Sequence, residues 1–159
     1  MRKDTVYILY GSQTGNAESI TKILCEEILK KTDMDCVYDT LNNSGNISFE
    51  NIKYLIVVCS TTGNGDMPDN AIKWWKQFKQ PKSNKCAFEG IQFLVLALGN
   101  SNYSKFCYCG KMIDKRLAEM SGTRMMELTC VDDATDMDEH VETWINKVIY
   151  SITRRGRLQ

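Results

Sequence analysis

Short apolar, β-rich runs recur at residues 5–10, 54–59 and 92–98, with weaker ones at 35–39 and 124–128. Between them the apolar positions change to helical spacing. Over residues 17–31, Ile20, Ile23, Leu24 and Ile28 fall on one face, and over 137–151 Val141, Trp144, Ile145, Val148 and Ile149 form a stripe. Residues 70–78 and 105–121 read as two further helices. Strands alternating with helices imply right-handed crossovers and a parallel sheet covered on both faces. The expected fold is α/β, a three-layer, doubly wound domain around a parallel five-stranded sheet.

With 159 residues, the chain is the size of one domain and should bury roughly 70% of its unfolded surface. The domain is expected over residues 1–151. Residues 152–159, with Arg154, Arg155 and Arg157, read as a basic tail or the start of a linker. A second polar stretch runs over 42–48. Lys plus Arg equal Asp plus Glu at 20 each, so the net charge is zero, which argues against a general binder of nucleic acid or anionic membranes. Met1-Arg2-Lys3-Asp4 leads into an apolar run too short for a signal peptide, and no apolar stretch approaches the roughly 18 residues of a membrane span. The seven cysteines are odd in number and irregularly spaced, and read as reduced thiols of a cytoplasmic protein.

In a doubly wound sheet, ligands bind where the strands end near the topological switch point. The three strongest strands exit into Gly11-Ser12-Gln13-Thr14-Gly15-Asn16-Ala17, Ser60-Thr61-Thr62-Gly63-Asn64-Gly65-Asp66 and Gly99-Asn100-Ser101-Asn102-Tyr103. All three are rich in residues that make tight turns and expose backbone N–H groups. At the first, a helix start near Asn16 or Ala17 offers unpaired amides and a partial positive charge. Ser12, Thr14 and Asn16 add side-chain donors, so a phosphate is the natural occupant without any cation. Ordinary helix capping also accounts for hydroxyls here, although the donors outnumber what a cap needs.

Neither G-x-x-x-x-G-K-[ST] nor G-x-G-x-x-G occurs, so a monophosphate fits better than ATP or NAD, and FMN joins one phosphate to a flat ring that needs walls. Tyr103 could lie against such a ring, with Phe106 helping to shape the pocket. His140 is the single histidine and lies in an acidic segment, which leaves Ser-His-Asp hydrolysis without support. Cys107-x-Cys109 has neither CxxC redox spacing nor a second pair for zinc. A phospho-receiver needs carboxylates where Gly11-Ser12 and Ser60-Thr61 stand. Trp74-Trp75 reads as one core member and one partly exposed.

The segments "GSQTGNAES", "CSTTGNGDMPDNA", "LALGNSNYSKFC" and "VDDATD…W" resemble, in order and separation, the flavodoxin-type FMN-binding module of the diflavin reductases from about residue 5 to 149. "STTGNGDMPD" and "FCYCGKMIDKRL" are most similar to the methionine synthase reductase subgroup. The resemblance implies a flavodoxin-like sheet order 2-1-3-4-5 with FMN as cofactor. Ser12, Gln13, Thr14, Gly15, Asn16 and Ala17 would hold the phosphate. Ser60, Thr61, Thr62, Gly63 and Asn64 would line one side of the ring. Leu98, Gly99, Asn100, Asn102, Tyr103, Phe106 and Cys107 would line the other, with Asp133 near the flavin. Thr62 departs from the cytochrome reductases, which carry a second aromatic there.

The implied function is electron transfer. The chain would accept electrons from an FAD/NADPH reductase domain or protein and pass them singly to a redox acceptor, within an NADPH-dependent diflavin oxidoreductase. A free-standing FMN-dependent NAD(P)H quinone reductase or a short-chain flavodoxin-type carrier is the alternative. No side chain is required as catalytic acid or base, and no metal is called for. Asp66, Asp69, Asp132, Asp136, Asp138 and Glu139 cluster at the same end and would form an acidic rim for a basic redox partner. Acids complementing a helix dipole account for some of them.

Overall fold

The computed structural model describes residues 4–47, 52–80 and 85–157. Met1–Lys3, Ser48 of the polar stretch, and Leu158 and Gln159 of the tail lie outside the described residues. In chain order the elements are β1 (Thr5–Gly11), α1 (Asn16–Lys31), β2 (Asp35–Thr40), a 3-10 helix (Leu41–Asn46), β3 (Tyr54–Ser60), α2 (Asp69–Phe78), β4 (Gln92–Gly99), α3 (Tyr108–Glu119), β5 (Thr123–Arg124), β6 (Thr129–Asp132) and α4 (Met137–Arg157).

Every sheet pairing is parallel, in the order β2-β1-β3-β4-β5, with β6 also paired to β4. The two central strands β3 and β4 are apolar almost without interruption because helices cover both their faces. Alternate residues divide between two cores. Val6, Ile8, Ile56, Val58, Leu94 and Leu96 pack under α1 and α4 against Leu24, Ile28, Trp144 and Val148. Leu9, Leu55, Val57, Phe93 and Val95 pack on the other side with Ala71 and Phe78 of α2 and Ile113 and Leu117 of α3.

Four details differ from the sequence expectation. The fifth lane of the sheet is shared by β5 and β6 instead of one strand over 124–128. The chain leaves the lane after the Met125 amide donates to the Phe93 carbonyl at 2.7 Å, and re-enters with Thr129 opposite Leu96. In α1 the buried stripe is Ala17, Ile20, Thr21, Leu24, Cys25 and Ile28, and Ile23 points out, because a residue one position from Leu24 is turned about 100° from it. The third helix starts at Tyr108, since Cys107 takes a left-handed conformation (φ 56°) at its N-cap. Finally, α4 continues past Ser151 to Arg157.

Trp74 and Trp75 are both partly buried, with Trp74 stacked on Phe78 at 4.3 Å. The polar stretch is put to use as well. Asn42, in the 3-10 helix, accepts from the Trp74 amide at 2.9 Å and donates to the Asp69 carbonyl at 3.1 Å, fixing the start of α2. Near the β5 edge of the sheet, on the same face, the buried Asp114 carboxylate receives Arg124 Nε at 3.0 Å and its terminal nitrogen at 2.8 Å, tying α3 to β5.

Gly110 lets α3 sit directly on β4. A Cβ there would run into the Ala97 Cβ and come within 2.7 Å of its Cα, which is backbone and cannot swing away. Helix propensity alone would make Gly110→Ala stabilising by about 1 kcal/mol. Overpacking reverses the sign, and the expected result is a loss of roughly 1–3 kcal/mol in urea unfolding. A rise in the unfolding midpoint would show that α3 is free to lift off the strand.

Candidate functional site

The carboxyl ends of β1, β3, β4 and β6 lie side by side, so the loops that follow them share one edge. In the first loop, the Ser12 amide donates to Asn70 Oδ1 at 2.8 Å and the Gly15 amide donates to Ser12 Oγ at 3.0 Å. Gly15, in a left-handed conformation (φ 97°), turns the chain into α1. No side chain caps α1, whose first backbone bond is Ser19 N–H to Gly15 O, so the amides of Asn16, Ala17 and Glu18 have no partner within the helix. The capping role left open by the sequence is therefore not what the hydroxyls of this loop do. Glu18, the acid in this first turn, is matched by Lys22 at 3.1 Å.

Several expected ligand residues are committed elsewhere by their side chains. Gln13 donates to Asp69 Oδ2 at 3.3 Å and accepts from the Asp69 amide at 3.0 Å, so it secures the start of α2. Ala17 is fully buried and has only its amide to offer. Thr14 is exposed and Asn16 partly so.

The second loop is braced from both sides. The Thr61 amide donates to the Leu98 carbonyl at 3.1 Å, and Thr61 Oγ1 accepts from the Cys109 amide at 3.0 Å. The Thr62 amide and hydroxyl both donate to the Asp66 carbonyl, at 3.1 and 3.0 Å, and the Gly65 amide returns to the Thr62 carbonyl at 2.8 Å. Thr62 thus closes its own turn and offers no flat surface. Ser60 is partly exposed; Gly63 and Asn64 are exposed.

The third loop turns on Asn100, whose carbonyl accepts from Tyr103 N–H at 3.0 Å and whose side chain accepts from Asn102 N–H at 2.9 Å. This throws Tyr103 outward at 53% exposure, with its ring over Gly63: a Cβ on Gly63 would lie 3.2 Å from the nearest ring carbon. The second and third loops therefore meet through one aromatic ring. Phe106 is partly buried beneath Lys111, 5.5 Å from its centroid.

Leu98 and Cys107 are buried and face the core instead of this edge. The Cys107 thiol, pushed up to about 12 by burial, donates to the Ala97 carbonyl at 3.3 Å. Leu98 contributes its carbonyl to Thr61, and Gly99 its carbonyl to Asp133 N–H at 2.8 Å. Asp132 accepts from the amides of Ser101 at 3.1 Å and Ala134 at 3.0 Å, which stitches the third loop to the end of β6. Asn70, which sequence reasoning left out, and Asp132, which it placed only in the acidic rim, are supports of the site; the acidic and amide side chains just beyond "GNGDMP" and "TCV" were the signals.

The flavodoxin family profile matches residues 8–144 of this chain. A mutant flavodoxin of Pseudomonas aeruginosa superposes with a TM-score of 0.78 at 21% identity, covering 94% of this chain and 99% of that one. A Streptococcus flavodoxin gives 0.77 at 20% identity, covering 95% and 99%. Among curated proteins, methionine synthase reductase of Mus musculus is 32% identical over 155 residues, 92% of this chain and 21% of its own length. The sulfite reductase [NADPH] flavoprotein alpha-component of Bacillus subtilis is 32% identical over 151 residues, 95% and 24%. NADPH-dependent diflavin oxidoreductase 1 of Bos taurus is 30% identical over 140 residues, 87% and 23%. The chain spans about a quarter or less of the length of these relatives.

The chain belongs to the flavodoxin family. It is a flavodoxin-type FMN domain of the kind found in the diflavin reductases. The residues present fit that cofactor: an uncapped helix start without cations suits one phosphate, and Tyr103 beside a side-chain-free Gly63 suits a flat ring.

Asp132 gives the edge a pH dependence. Its carboxyl is held below the usual carboxylate range by the Ser101 hydroxyl, then by the Ala134 amide and, more weakly, the Ser101 amide; partial burial opposes them. A depressed folded-state value means that the tie is present above the ordinary carboxylate pKa, about 4, and is lost as pH falls through the folded value. Asp133 is raised by burial and by Asp132, so its contribution has the opposite sign and fades as pH rises. Protection of the Ser101 and Ala134 amides from hydrogen exchange should drop on acidification and be low at every pH in Asp132→Ala. Protection independent of pH would remove the carboxylate as the tie.

Proposed function

We propose that this domain carries electrons through FMN, receiving them from an FAD/NADPH reductase domain or protein and passing them one at a time to a redox acceptor protein. The observation that carries the reading is the meeting of the uncapped α1 start with the Gly63–Tyr103 pair at one sheet edge. Bound FMN would supply the one- and two-electron chemistry. The amides of Asn16, Ala17 and Glu18, with Thr14 and Asn16 side chains, would hold its phosphate. Tyr103 would stack on the ring, and the backbone of Gly63 and Asn64 would face its edge. Thr62, turned onto Asp66, leaves the second face of the ring without an aromatic.

Two of the relatives named above support an NADPH-linked donor, since their names state NADPH. None of the seven cysteines is in a disulfide among the described residues, which fits a reducing compartment such as the cytoplasm. Among the described residues no helix is long and apolar enough to cross a membrane.

An acceptor would dock on the acidic rim. Asp136, Asp138 and Glu139 are exposed and make no ion pair among the described residues, and Asp66 and Asp69 stand exposed across the edge. Asp132 belongs to the rim more by position than by charge, being engaged with Ser101 and Ala134. Electron transfer to a basic haem protein should slow as salt rises past about 0.1 M, and slow at low salt in Asp136→Asn/Asp138→Asn/Glu139→Gln. Equal rates in all cases would dismiss the rim.

The deciding experiment is an FMN titration of the purified chain, read by absorbance and fluorescence. Binding with a yellow product is expected, and Tyr103→Ala should weaken it by on the order of 1–2 kcal/mol, about five- to thirtyfold in Kd. NADPH alone should leave the loaded protein oxidised, whereas a quinone reductase would bleach. A folded, colourless protein indifferent to FMN ends the proposal.

A further inference from the structure

Beside the second loop, on the face carrying α2 and α3, runs a groove that the flavin site does not use. It consists of two adjoining cavities of about 760 and 640 Å³ that share Trp75, Lys79, Tyr108 and Met112. On α2 and its C-cap the lining residues include Ile72, Trp75, Lys76 and Lys79; on α3 they include Tyr108, Lys111, Met112 and Lys115. Both sets follow the i, i+3, i+4, i+7 spacing of a single helix face, so the two helices turn matching stripes toward each other. Each stripe mixes apolar and cationic residues.

The apolar part is open to solvent. Ile72 is 37% and Tyr108 39% exposed, and Trp75 and Met112 are half-buried. The cations outnumber the acids. Lys76, Lys79, Lys105, Lys111, Lys115 and Arg116 face Asp66 and Asp69 at the loop end and Glu119 at the other. None of the five lysines makes an ion pair among the described residues. Lys105 and Lys111 lie over the rings of Tyr108 and Phe106 at 5.3 and 5.5 Å. Arg116 closes the far end by donating to the carbonyls of Phe78 at 2.9 Å and Gln80 at 2.6 Å. From Tyr108 to Glu119 the groove follows about three helical turns, roughly 16 Å.

We infer that this groove is a docking site for an acidic amphipathic helix of a partner protein. Its apolar side would lie on Ile72, Trp75, Tyr108 and Met112, and its carboxylates would meet the lysines that rise on both sides. Charge complementarity selects this occupant: in a chain of zero net charge, the free lysines stand along the rims of an exposed apolar floor. The occupant would lie beside Thr62 and Gly65 without covering Tyr103; this surface meets the acidic rim at Asp66 and Asp69, leaves Asp136, Asp138 and Glu139 clear, and does not depend on bound flavin.

The test uses a fluorescein-labelled amphipathic peptide with leucines on one face and glutamates flanking them. Anisotropy is followed on the whole chain with and without added FMN. Saturable binding is expected in both states, weakened roughly tenfold between about 50 and 300 mM salt. It should be lost in Lys79→Glu/Lys111→Glu/Lys115→Glu and weakened in Ile72→Ser, while circular dichroism and FMN affinity stay unchanged. A peptide with lysines in place of the glutamates should not bind. The inference is overturned by no binding up to about 1 mM peptide, by equal binding to the charge-reversed variant, by groove-dependent dimerisation of the chain in sedimentation, or by lysine-dependent capture on phosphatidylserine vesicles. Loss of FMN binding with peptide binding intact would count against the flavin reading alone.

Discussion

The parallel ladder ends in step, and the site depends on that alignment. Gly11 stands opposite Cys59, Ser60 opposite Leu98, and Gly99 opposite Asp132. Because successive strands finish level, their loops emerge at one edge, and two backbone bonds carry the alignment beyond the sheet: Thr61 N–H to Leu98 O and Asp133 N–H to Gly99 O. A slip of one residue along β4 would exchange the two cores, since alternate side chains of that strand belong to opposite faces. Burial of both faces thus sets the height of the loops.

The polar side chains of the edge are occupied mainly with one another. Ser12 closes its own turn, Gln13 reaches α2, Thr61 receives α3, Thr62 folds onto Asp66, and Asp132 gathers two neighbouring loops. What remains directed outward is largely backbone, together with the Thr14 and Asn16 side chains and one tyrosine ring. Such an arrangement is preorganised: amides fixed by the fold lose little freedom when they meet a ligand, whereas long charged side chains would have to be ordered.

This division explains what could be read from the chain. The central strands were legible because β3 and β4 are continuous apolar runs, and the loop positions followed because glycine and small polar residues cluster directly after them. The split of the fifth lane was not, since it depends on where Met125 and Thr129 meet β4, a pairing between distant segments. Nor does periodicity separate Ile23 from Ile20 when both are apolar and near one stripe. For the site, residue type identified the loops but not the direction of each side chain. Gln13, Leu98 and Cys107 sit in the right segments while their side chains face α2 or the core.

The same buried edge shapes the fate of sulfur. Cys59 and Cys107, close to the ends of β3 and β4, are fully buried, and Cys109 stands in the first turn of α3. Burial raises the pKa of all three, to about 11 for Cys109, about 12 for Cys107 and well above the ordinary thiol value for Cys59. Only a thiolate reacts readily with peroxide, the by-product made when a reduced flavin meets oxygen. By keeping these sulfurs protonated, the packing that aligns the loops also makes the core chemically durable beside a flavin, whereas Cys86 and Cys130 lie exposed.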